Sequence, residues 1–91
     1  MINEDVLFER LKDHFNIADI YELRSKCRKI EYIYARLIYC EYQRKKGAHP
    51  RNIGIWLNRD RVTILQNLQK FQAEYEVNKQ FRELVDNIFE E

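Results

Sequence analysis

Apolar positions along this chain recur at intervals of three and four residues, and no stretch alternates as a strand would. Val6, Leu7, Leu11 and Phe15 share one helical face, and Asn3 stands where it can cap that helix. Asn16 can cap a very short second helix, Ile17 to Leu23, with Ile17, Ile20 and Leu23 inward. After the connector RSKCRK, Arg24 to Lys29, a third helix is predicted from about Ile30 to Lys45. Its stripe is Ile30, Ile33, Tyr34, Leu37, Ile38 and Glu41. Gly47 is placed as a C-cap, and Pro50 suits the first turn of a fourth helix carrying Ile53, Ile55, Trp56 and Leu57. Asn58 breaks that helix. A fifth is predicted from Asp60 to about Tyr75, with Ile64, Leu65, Leu68, Phe71 and Tyr75 buried and Thr63, Gln66, Asn67 and Lys70 opposite. Asn78 can cap the last helix, in which Phe81, Leu84, Val85, Ile88 and Phe89 face inward. The pattern predicts an all-α, compact cluster of about six helices, and 91 residues support a single domain, 1–91, around one modest core.

The net charge of +1 conceals a strong polarity. Residues 1–23 hold six acids and two bases, residues 24–61 eleven bases and three acids, and residues 62–91 six acids and three bases. The net charges of these blocks are −4, +8 and −3. A basic middle between acidic ends can orient the molecule towards a polyanion, although helical proteins also carry many solvated Lys and Arg. Cys27 and Cys40 form neither a disulfide framework nor a zinc pattern, and no hydrophobic signal sequence is present, so the reducing cytoplasm is expected. No apolar run approaches the roughly 20 residues needed to cross a bilayer. His14 and His49 share no ligand spacing with each other or with the cysteines, so neither a metal site nor a cofactor is expected. No set of nucleophile, base and orienter supports an enzyme.

The stretch Pro50–Leu65, PRNIGIWLNRDRVTIL, reads as a helix-turn-helix whose second helix opens on polar and charged residues. Such a helix, braced across a tight turn, can enter a DNA major groove end-first. The order of elements and the run Ile53-Gly54 followed by Arg59-Asp60-Arg61-Val62-Thr63-Ile64-Leu65 resemble the C-terminal DNA-binding domain of the bacterial replication initiator DnaA. The similarity covers about Asn3 to Phe89, and the family signature there reads roughly R-D-H-[ST]-T-V-L. The resemblance implies a Trp-repressor-like fold and sequence-specific binding of double-stranded DNA at a replication origin. It also implies a bacterial or phage setting, association with the nucleoid, and other replication proteins as partners. By position it puts Asp60, Arg61, Val62 and Thr63 at the bases and Arg36 in the adjacent minor groove. Loop bases such as Lys26, Arg28 and Lys29 are implied to hold phosphates. Two departures alter the expected target: the family's His is Arg61 and its first Thr is Val62. The turn after Gly54 is also one residue shorter than in many initiators and lacks their Gly pair. No GxxxxGK[ST] occurs, so no ATPase part is implied for this chain.

Chemically, Arg61 can offer two parallel donors to guanine O6 and N7, and the Val62 methyls can pack on a thymine methyl. Asp60 can accept from a cytosine amino group or clamp Arg59 or Arg61. Thr63 can bond a phosphate or back-bond within its helix. Arg36 has a plainer alternative, a surface ion pair with Glu31 or a neighbour. Lys26, Arg28, Lys29, Lys45, Arg51 and Arg59 are the candidate phosphate contacts. Tyr32, Tyr34, Tyr39 and Tyr42 can stack on unpaired bases, but a stripe at helical spacing more often belongs to a core. Trp56 reads most simply as a core residue against the fifth helix. The rival to DNA binding is a helical protein-interaction or regulatory module that keeps the fold without base readout. A weaker third possibility is a DNA mimic using the acidic ends, against which the basic middle argues.

Overall fold

In the computed structural model, which describes all residues Met1–Glu91, the chain forms five α-helices and one short 3₁₀ helix, with no strand. Helix α1, Glu4–Phe15, begins where the Asn3 side chain accepts from the Val6 amide at 2.9 Å and buries Leu7, Leu11 and Phe15. Asn16 ends this helix in the left-handed region (φ 54°), rather than starting the next. The expected second helix is accordingly shorter and tighter, a 3₁₀ helix over Ile20–Arg24. Asp19 caps it through the Tyr21 amide, and the Glu22 carboxylate accepts from the Asp19 amide at 3.0 Å. Ile17 remains buried without being helical.

Helix α2, Ile30–Lys45, runs through the centre with eight consecutive buried residues, Ala35 to Tyr42. Glu41 lies on this buried stretch, and both of its carboxylate oxygens accept from Arg44, at 2.7 and 2.8 Å. That bidentate pairing offsets the cost of removing a carboxylate from water. Gly47 (φ +87°) turns the chain towards helix α3, Pro50–Leu57, where the His49 ring accepts from the Arg51 amide.

Helix α4, Arg61–Val77, packs against α2, α3 and α5 and so organises the bundle. Asp60 is its N-cap, accepting from the Thr63 amide at 2.7 Å. Its buried face is turned relative to the predicted stripe: Ile64 and Phe71 are inside, Thr63, Asn67 and Leu68 are half-buried, and Leu65 is 38% exposed. Helix α5, Lys79–Phe89, follows after one residue. Asn78 donates its amide to the Glu74 carbonyl, and its side chain accepts from the Phe81 amide, closing one helix and opening the next.

The aromatic residues are structural. Trp56 packs on Tyr39 at 4.6 Å between centroids, on Phe8 at 5.5 Å and on Tyr21 at 5.9 Å, joining α1, the 3₁₀ helix, α2 and α3. Tyr39 and Tyr42 are buried, and the half-buried Tyr32 and Tyr34 direct their hydroxyls to Glu22 and Glu74. No helix is long and apolar enough to cross a membrane.

Candidate nucleic-acid interface

The joint between α3 and α4 is three residues, Asn58–Asp60, and its tightness follows from Gly54. The Arg59 amide donates to the Gly54 carbonyl at 2.8 Å, and a Cβ on Gly54 would lie 2.3 Å from the Arg59 carbonyl oxygen. Asn58 adopts φ 59°, so a single left-handed Asn makes the reversal for which the Gly pair was missing.

This turn leaves one face of the first turns of α4 in solvent. Arg61 and Val62 are exposed, Val62 at 54%, and Leu65 and Gln66 continue the same open face. Arg61 has no ion-pair partner. Asp60 does not clamp Arg59 or Arg61; one of its carboxylate oxygens accepts from the Thr63 amide, which makes it the N-cap of α4. The Thr63 backbone amide and then its hydroxyl hold the Asp60 carboxyl below the usual range. Thr63 is half-buried and engaged with Asp60.

Arg36 requires a correction. It was expected at the minor groove or in a surface ion pair, but it is 7% exposed and turned inward. Its guanidinium donates to the carbonyls of Leu23 (2.7 Å), Ser25 (2.8 Å) and Cys27 (2.7 Å). Arg59, expected at a phosphate, likewise donates to Ser25 (2.6 Å), and its other terminal nitrogen reaches the carbonyls of Leu57 (3.0 Å) and Asn58 (3.1 Å). Two arginines from different elements therefore converge on one carbonyl and fasten the basic loop to the α3–α4 turn. Burial, followed by the Arg59 charge, lowers the pKa of Arg36.

Around these two lies a cleft of about 540 Å³ between the loop, the start of α2 and the inner flank of α4. Lys26, Arg28 and Lys70 complete its basic lining, and no carboxylate lines it. Lys70, Asn67 and Asn58 were not foreseen as site residues. Thr63, Asn67 and Lys70 repeat at helical spacing on one flank, which was the signal available for two of them. Lys29 is exposed at the N-cap of α2. Lys45 stands at the far end of that helix over the Phe89 ring, and sixteen residues put it roughly 24 Å from the loop. Arg51 is exposed in the first turn of α3 and does not line the cleft. Of the twelve bases from Arg24 to Lys70, only Arg44 forms a salt bridge. No three of His, Cys, Asp and Glu converge as a metal site would require. No family model matches the chain, and no curated protein matches it.

Proposed function

We propose that this chain is a helix-turn-helix DNA-binding domain of the initiator type, with a Trp-repressor-like arrangement, that reads double-stranded DNA by sequence. The observation that carries the reading is the exposed, unpaired Arg61 at the tip of α4, beside a basic region in which only Arg44 is ion-paired. Helix α4 enters the major groove by its first turns. Arg61 pairs with a guanine and Val62 packs on a thymine methyl, while Lys26, Arg28, Lys29 and Arg51 lie along the backbone. Arg36 and Arg59 act behind this surface by holding the loop in position. The work is binding without catalysis, in the cytoplasm at the nucleoid, with other replication proteins as further partners.

Fluorescence anisotropy on duplexes at two salt concentrations, followed by selection from a randomised library, tests the reading. Binding should weaken steeply with salt, and selection should enrich a motif containing guanine. Arg61→Ala should remove roughly 1–3 kcal/mol of discrimination at one position with the fold intact. Flat selection would sink the sequence-specific reading. The second reading, a protein-interaction module, is favoured by the exposed apolar residues Ile55 (67%), Val62 (54%) and Leu65 (38%) on α3 and α4. It would prevail if Arg61→Ala left duplex affinity unchanged while a bound protein partner persisted.

A further inference from the structure

The cleft beside α4 contains an electrostatic imbalance that base reading does not use. Arg36 and Arg59 both donate to the Ser25 carbonyl, at 2.8 and 2.6 Å, so two like charges lie close together. One of them is only 7% exposed, and neither has a carboxylate partner. Backbone carbonyls satisfy the hydrogen bonds of these groups without cancelling their charge. Like charges at such range repel, and the partly desolvated position screens them less than open water would. The other basic residues at the rim, Lys26, Arg28 and Lys70, add to the positive potential, while Asn58, Asn67 and Thr63 supply neutral polar groups.

We propose that this cleft is a binding site for a terminal phosphoryl group, carried either by a free phosphate ester or by the 5′ end of a DNA strand. Charge and shape favour a terminal group over an internal phosphodiester. A phosphomonoester carries a charge of about −1.5 to −2 at neutral pH, matching the two guanidiniums. An internal DNA phosphate brings one charge and has sugars on both sides. The volume of about 540 Å³ exceeds what one phosphate fills and falls within the range of small-ligand sites. The floor of the cleft receives the anion, and the flank of α4 bearing Thr63 and Asn67 faces the remainder of the ester. This site is independent of base reading by α4.

Calorimetric titration of the intact protein with inorganic pyrophosphate, in low-chloride buffer and without DNA, is the test. One saturable site is expected, with no comparable binding of dimethyl phosphate. Lys26→Ala and Lys70→Ala should each weaken pyrophosphate binding roughly tenfold, the scale of one lost charge-assisted contact. Lys79→Ala on α5 should leave it unchanged, and circular dichroism checks that all three variants fold. Absence of a saturable site, equal binding of dimethyl phosphate, or equal affinity across the three variants would overturn the proposal. A second arm compares short duplexes with and without a 5′-phosphate. A preference for the phosphorylated end that Lys70→Ala removes assigns the group to DNA, whereas equal duplex binding with pyrophosphate binding retained assigns it to a free ester.

Discussion

Arg36 and Arg61 are both arginines of the basic middle segment, yet their surroundings are opposite. Arg61 has solvent on its outer side and no ionic partner, so its replacement should leave stability within about 0.5 kcal/mol. Arg36 holds three carbonyls of the loop from a buried position. Arg36→Ala should lower unfolding stability by on the order of 2–3 kcal/mol in urea titration, because charged hydrogen bonds are lost from a site that water does not readily refill. Asp60 supplies a pH signature. Its folded-state carboxyl titrates below its unfolded value, so the associated stability is present above the unfolded pKa and disappears as pH falls through the folded one. Asp60→Asn can keep an N-cap acceptor without titrating there, and should flatten the acid limb of a helicity-versus-pH curve. Spacing could not reveal the role of Arg36, since a guanidinium that binds loop carbonyls leaves no periodic trace in the chain. The exposed position of Arg61 was legible because it follows a turn signal at the start of a periodic helix.

The joint between α3 and α4 sets the tolerance of the proposed reading unit. Gly54→Ala would drive a methyl against the Arg59 carbonyl, so it should cost about 1–3 kcal/mol and lower the melting temperature measured by circular dichroism. Asn58→Gly should be tolerated at its left-handed φ, whereas Asn58→Ala should lose about 1 kcal/mol. The helices themselves were legible from their three- and four-residue periods, and most boundaries lie within two residues of the predicted ones. Two details were not. Asn16 suits the end of one helix as well as the start of another, and only the fold selects its left-handed C-cap role. Leu65 fits an apolar stripe in the chain, but α4 packs against three helices, and their combined direction turns Leu65 outward while drawing Asn67 inward.

At the scale of the molecule, the principal extents of 28 × 28 × 26 Å are somewhat less than one turn of B-form DNA, about 34 Å. A single copy should therefore protect about eight base pairs from cleavage. A footprint of two turns would require a second copy or a larger assembly. Under the proposed function, the exposed bases of the loop and α4 should make duplex affinity fall linearly with salt on logarithmic axes, with a slope reporting the number of phosphates engaged. Single Lys→Ala changes in the loop should reduce that slope by about one each.

The stack around Trp56 has a practical consequence. It is the sole tryptophan, and its ring touches aromatic neighbours from three other segments of the chain. Its emission is therefore an intrinsic optical gauge of whether α3 stays seated. If α3 stays seated when the protein engages a duplex, the spectrum will hold steady while anisotropy rises; a shift would reveal α3 lifting from its aromatic bed.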